Sequence, residues 1–218
     1  MIFTDRREAG RLLSEEIIGK YKRNLGNPVV VAIPRGGVVI AEPIAKVLNA
    51  PLEIVLVKKI GAPFNEELAV GAITEDGDIL LNPDITPDVA VRLGITDDYI
   101  YQKSKEALGI LKKRKELYGG SLKDLDIKGR DVILVDDGVA TGLTTEAGVL
   151  SVRNLSPNRI ILAIPVIPYE KYDELNKLVD ELIVLEKPVN FTAVGQFYND
   201  FSQTTDREVL EILNRYRN

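Results

Sequence analysis

Two adjacent carboxylates, Asp136 and Asp137, stand where an apolar run ends and a loop of small and hydroxyl-bearing residues begins. The run, Val132 to Val135, predicts a strand buried on both faces of a parallel sheet. Behind the acids come Gly138, Val139, Ala140, Thr141, Gly142, Leu143, Thr144 and Thr145, and then a predicted helix over 146–155. Ligands of open α/β sheets sit beyond the carboxyl ends of the strands. A loop of small residues and hydroxyls at a helix N-terminus is a ready anion site, because backbone N–H groups point out of it. The stretch therefore combines an anion cradle with two acids. A free phosphate gains nothing from acids so close. A phosphorylated sugar gains from both, since its hydroxyls donate to the carboxylates while its phosphate takes the loop. A generic strand-turn-helix explains the apolar run and the glycine but not the paired acids.

Two further stretches carry charge at predicted strand ends. Pro34-Arg35-Gly36-Gly37 follows the apolar strand Val29 to Ile33, and two glycines there let backbone approach a ligand closely beside the Arg35 cation. A tight turn with a solvated arginine reads equally well from this stretch alone. Lys58 and Lys59 follow a strand predicted over Leu52 to Val57, and suit either a leaving anion or plain solvent exposure. Residues 188–203 lose all periodicity and collect Phe191, Phe197, Phe201 and Tyr198 with several amide side chains. Such a segment suits stacking on a planar ring and hydrogen bonding to its edges, or anchoring of the C-terminal region to the core. The run Lys112-Lys113-Arg114-Lys115 reads as a solvated helix end.

Composition narrows the chemistry. The chain has 218 residues, a net charge of −5 and a pI near 5.0, which argues against a nucleic-acid footprint. With no cysteine and no histidine, thiol catalysis, thiolate metal sites and imidazole bases are all excluded. Any proton transfer falls to Asp, Glu, Lys or Tyr. The first residues lack an apolar signal core and no stretch reaches 18 apolar residues, so a cytoplasmic protein is expected.

The elements that must position these residues follow from spacing. An amphipathic helix over residues 4–23, capped by Thr4 or Asp5, is predicted to cover the sheet. Leu68 to Ile73, an Asp76-Gly77 turn and Ile79 to Leu81 predict a hairpin. A short helix is predicted from Pro87 to Leu93. Thr96 caps a longer one with Asp97 and Asp98 in its first turn, and Gly119-Gly120 ends it. Buried strands are predicted over Arg159 to Val166 and Leu182 to Leu185, with helices over Tyr169 to Leu178 and Glu208 to Arg217. Five strands separated by helices give an α/β fold with a doubly wound, mostly parallel sheet.

The apolar strand, Asp136-Asp137 and Ala140-Thr141-Gly142-Leu143-Thr144 together resemble the PRPP-binding motif of the type I phosphoribosyltransferases. The resemblance covers about residues 28–186. It implies one domain over 1–218, with a flexible-loop and helical insertion at about 60–128 and a hood with a C-terminal helix at about 187–218. It implies transfer of a 5-phosphoribosyl group from PRPP to a nitrogenous base with release of pyrophosphate. Pro34 to Gly37, with a non-proline cis peptide at Pro34-Arg35, would hold the pyrophosphate together with Lys58 or Lys59 and Mg²⁺. Asp136 and Asp137 would hold the ribose hydroxyls, directly or through waters of the metal, and Gly138 to Thr144 the 5′-phosphate. Phe191 and Phe197 would face the base from the hood. PRPP and a small base are the implied partners, with a homodimer left open and no nucleic acid or membrane. Enzymes of this kind that act on 6-oxopurines carry an Asp where this chain has Ala140, which disfavours guanine and hypoxanthine. Glu66, Glu67 or Glu75 is left as a general base. A PRPP-sensing regulator that has lost catalysis is the alternative on the same fold.

Overall fold

The computed structural model describes residues 1–21 and 24–216. The amino-terminal segment leads into α1 (Arg6–Tyr21), whose start is fixed by the Glu8 backbone N–H donating to Asp5 Oδ1 at 2.8 Å. Asp5 is thus the cap; the last two positions of the expected helix, 22 and 23, lie outside the described residues. Strand β1 (Val29–Ala32) and helix α2 (Gly36–Leu48) follow, and then β2 (Leu52–Ile54).

The expected strand over 52–57 is divided. After β2 the Val55 N–H still donates to Ala32 O at 3.0 Å, but the chain then leaves the main sheet. It continues as β3 (Val57–Ala62), which pairs antiparallel with β4 (Asn65–Thr74). The apolar run looks continuous because Leu52 to Val57 is buried throughout, in one sheet and then against another. Asp76 and Gly77 turn β4 into β5 (Ile79–Leu81), giving the expected hairpin and a three-stranded sheet in the order β3-β4-β5. Helices α3 (Pro87–Leu93) and α4 (Asp97–Tyr118) are capped by Thr86 and Thr96 hydroxyls and end on left-handed Gly94 and Gly119.

The chain then returns through β6 (Asp131–Val135), α5 (Leu143–Arg153), β7 (Arg159–Val166), α6 (Tyr169–Asn176) and β8 (Glu181–Glu186), and closes on α7 (Asp206–Leu213). That last helix starts at Asp206 and ends at Leu213, short of the expected Arg217, which itself lies outside the described residues. The main sheet is parallel throughout, in the order β2-β1-β6-β7-β8. Alternation along its strands supplies two cores. Val30, Ala32, Ile133 and Val135 pack with α1, α2 and α7, while Val29, Val31, Val132 and Leu134 pack with α5 and α6. Burial on both faces explains why these strands read as unbroken apolar runs.

Strand order reverses between β1 and β6. The connection from β1 runs to β2 on one side, and that from β6 to β7 on the other. Ala32 pairs with Val135, and the Ile33 N–H donates to Val135 O at 2.9 Å, so the loops leaving both strands emerge side by side. A doubly wound sheet opens its ligand crevice at this kind of switch point.

Candidate active site

A cavity of about 450 Å³ opens over that switch point. Pro34, Arg35 and Gly36 form one wall, Asp136 to Gly142 with Thr144 and Thr145 form another, and Lys59 reaches in from β3. The peptide between Pro34 and Arg35 is cis, at the position the resemblance implies. The two glycines behind it permit very close contacts. A Cβ on Gly36 would lie 1.9 Å from Asp137 Oδ2, and one on Gly37 2.8 Å from the Val135 carbonyl oxygen. A larger residue at 37 would meet the backbone of the second loop, and one at 36 would displace the Asp137 carboxylate and the Arg6 guanidinium.

The acids differ in their partners. Asp136 is 9% exposed; its Oδ2 accepts from the Thr145 hydroxyl at 2.9 Å and its Oδ1 from the Asp137 N–H at 2.9 Å. Burial, and then the neighbouring Asp137, push its carboxyl well above the ordinary carboxylate range. Asp137 is also pushed up by burial, with Arg6 opposing that shift. Arg6 Nε donates to Asp137 Oδ2 at 2.7 Å, and Arg6 Nη1 donates to Ser202 O at 2.8 Å. The guanidinium also lies 3.9 Å from the centroid of the Phe201 ring. The Tyr198 hydroxyl completes the arrangement by donating to Asp137 O at 2.7 Å.

Beyond the acids, Gly142 at φ 91° starts α5 with no side-chain cap. The first turn of a helix holds N–H groups with no intrahelical partner, so this loop retains its donors for an anion. On the opposite wall Arg35 Nη1 lies 3.8 Å from Asp206 Oδ1, which accepts from the Tyr118 hydroxyl at 2.5 Å. The cavity thus offers cations from three separate elements, one buried and one partly buried acid, and a helix start.

Most of the sequence-derived residues meet here, and some do not. Lys58, one residue from Lys59 on β3, projects into a separate cavity against α4. Lys59 lines both cavities, so the two lysines differ only in that Lys58 does not reach the first. Leu143 is 3% exposed and belongs to the core under α5, and Gly37 packs beneath the loop. Phe197 is buried in the core and stacks on the partly buried Phe191 at 5.9 Å between centroids, and neither lines the cavity. Val194, Gln203 and Thr204 line it instead. The aromatic segment anchors the amino-terminal segment: the Phe3 N–H donates to Phe197 O, the Asn199 N–H to Phe3 O, and the Phe3 and Tyr198 rings lie 5.3 Å apart. Of the glutamates, Glu75 is held by Lys115 and Ser121, Glu66 lines the second cavity, and the Glu67 side chain lies outside the described residues.

Sequence reasoning missed Arg6 and Thr145. Thr145 stands in the loop named after the acids, one residue beyond the motif, and its hydroxyl donates to Asp136 nine residues back. Arg6 had no such signal, since it comes from a helix that reads as a mere cover for the sheet and meets Asp137 across 131 residues of chain.

Magnesium fits this donor set only in one way. No group of three or more acidic side chains suited to a metal is present among the described residues. Asp136 and Asp137 resemble instead the one or two carboxylates that, with water and substrate phosphates, complete a magnesium shell.

A parallel five-stranded sheet with its cavity at the switch point, ringed by a cis-peptide loop and an acid-pair loop, defines the type I phosphoribosyltransferase class. The phosphoribosyl transferase domain family matches residues 5–201, and this chain belongs to it. A Mycobacterium tuberculosis protein, provisionally designated a phosphoribosyl transferase, is 36% identical over 214 residues. That alignment takes in 98% of this chain but 47% of the relative, so the chain spans about half its relative's length. The crystal structure of TT1426 from Thermus thermophilus is 40% identical, covers 99% of both chains and superposes with a TM-score of 0.78. The AQ2163 protein of Aquifex aeolicus, 16% identical over 85% of this chain and 76% of its own with a TM-score of 0.52, shares the fold. No helix among the described residues is long and apolar enough to cross a membrane.

Proposed function

We propose that the chain transfers the 5-phosphoribosyl group of PRPP to a nitrogen of a small acceptor base and releases pyrophosphate. The convergence of the Pro34–Gly36 loop and the Asp136–Thr144 loop on one cavity carries this reading. In that reaction the acceptor nitrogen forms a bond to ribose C1 while the C1–O bond breaks, and the electron pair leaves with pyrophosphate. The breaking bond develops oxocarbenium character, so the protein contributes by positioning and by stabilising the departing charge. Arg35 and Lys59, with the backbone at Gly36, receive the pyrophosphate. Asp136 and Asp137 accept from the ribose hydroxyls, and the helix start at 142–144 takes the 5′-phosphate. Arg6 offsets part of the negative charge that two carboxylates would otherwise present to a polyanionic substrate. A magnesium ion carried on the substrate would be held through its waters by Asp136 and Asp137 and would add positive charge at the leaving oxygens.

Two measurements test this. Melting curves with Mg²⁺ alone should match the apoprotein. Mg·PRPP at 100 times its Kd should add about 2.7 kcal/mol to the folded state. Pyrophosphate release with a pooled base panel should then follow; a melting shift without any turnover would assign PRPP sensing instead, and no shift at all would remove PRPP from the site.

A further inference from the structure

Behind the wall that faces the acid pair, three elements distant in sequence meet. Arg35 enters the cavity from the loop after β1, and its ion pair among the described residues is with Asp206, Nη1 to Oδ1 at 3.8 Å. That separation exceeds a hydrogen bond, so the carboxylate attracts the guanidinium while its N–H groups stay available. Asp206 itself is closely fixed. It is the first residue of α7, behind the Thr205 cap, and Val209, Ile212 and Leu213 bury that helix in the core. The same Oδ1 accepts from the Tyr118 hydroxyl at 2.5 Å. Tyr118, the last residue of α4, is 1% exposed. Burial, followed by the hydrogen bond to Asp206, raises its hydroxyl above the usual tyrosine range and keeps it a donor. Arg114 and Arg35 are the cations that act on this hydroxyl. The helix start and the hydroxyl thus meet part of the Asp206 charge, and what remains acts on Arg35.

We propose that Asp206 and Tyr118 are positioning residues for the leaving pyrophosphate: Tyr118 fixes the Asp206 carboxylate, and that carboxylate holds Arg35 at the cavity wall before substrate arrives. The inference rests on the phosphoribosyl-transfer reading above and adds how its leaving-group cation is oriented. An arginine on a loop has many rotamers, and one already directed loses less freedom when an anion binds. Neither Asp206 nor Tyr118 lines the cavity, so both act through Arg35. The ends of α4 and α7 are thereby joined, through one side chain, to the loop that receives the departing charge.

Calorimetric titrations of Mg·pyrophosphate and of ribose 5-phosphate, which lacks the leaving group, test this. Asp206→Asn keeps an acceptor for Tyr118 and removes the charge, at a side chain 44% exposed and so tolerant of change. Tyr118→Phe keeps the buried ring and removes the hydroxyl. Each should weaken pyrophosphate binding about threefold, the scale of a partly exposed ion pair, and leave ribose 5-phosphate unchanged. Arg35→Ala alone should weaken pyrophosphate, and adding Asp206→Asn to it should have no further effect, because the cation it acts through is gone. Parental pyrophosphate affinity in either single variant, tighter binding in Asp206→Asn, an equal loss for both ligands, or a loss that persists without Arg35 overturns the proposal and leaves the phosphoribosyl-transfer reading intact. Arg35→Ala without effect on pyrophosphate overturns it together with the part that reading gives to Arg35.

Discussion

At the level of single residues, the buried acids dominate. Asp136 has its carboxyl raised by burial and by Asp137, so the folded protein holds a proton there that the unfolded chain releases near the ordinary carboxylate pKa of about 4. Where the folded state binds more protons, stability falls as pH rises. This contribution is therefore fully present below the unfolded pKa and is lost as pH climbs through the raised folded value. Asp136→Asn should flatten that decline, which a series of denaturant titrations from pH 4 upward would reveal; an unchanged slope would place the proton elsewhere. Arg6 acts in the opposite sense on Asp137. Arg6→Met removes a donor from a carboxylate only 20% exposed, and should cost about 1–3 kcal/mol of stability together with weaker PRPP binding. A variant as stable as the parent would reduce Arg6 to a solvated charge.

At the level of elements, the site depends on how closely two loops approach. Gly36 is where that approach is tightest, so Gly36→Ala should displace Asp137 and Arg6 and reduce PRPP affinity, with far-UV circular dichroism unchanged. Retained affinity would mean that the loops have room to separate. Elements are legible in the sequence where a local rule is sufficient. Pro87 and Thr96 mark their helix starts, Gly119 its helix end, Asp76-Gly77 its hairpin, and the β-branched runs their buried strands. The rule fails where one apolar run serves two sheets. Leu52 to Val57 has no polar break at the point where the chain leaves the main sheet, so Lys58 and Lys59 read as a pair at a strand end rather than as residues inside β3. The first hairpin, between β3 and β4, turns at Pro63-Phe64 rather than at an Asn-Gly or Asp-Gly pair, and its signal is correspondingly weak. The aromatic segment is legible as aperiodic. Whether its rings face a ligand or the core is decided by Phe3, far away in sequence, and no local pattern in 188–203 encodes that partner.

Across the whole molecule, the switch point of the main sheet, the small antiparallel sheet, α1 and the 194–204 segment converge on the same cavity. The loops at 34–36 and 136–144 are visible as motifs because each is local in sequence. Arg6, Val194 and Gln203 are not, because only the fold brings them there. The link between Arg6 and Asp137 joins the amino-terminal helix to the carboxyl end of β6, while Phe3 is stitched to residues 197–199 by paired backbone hydrogen bonds. A sugar hydroxyl competing for Asp137 Oδ2 pulls on Arg6, which also donates to Ser202 O and lies against the Phe201 and Tyr198 rings beside this stitch. Amide protons at the very start of the chain should then exchange with solvent at rates set by what occupies a cavity they do not touch, making the amino end a remote indicator of occupancy.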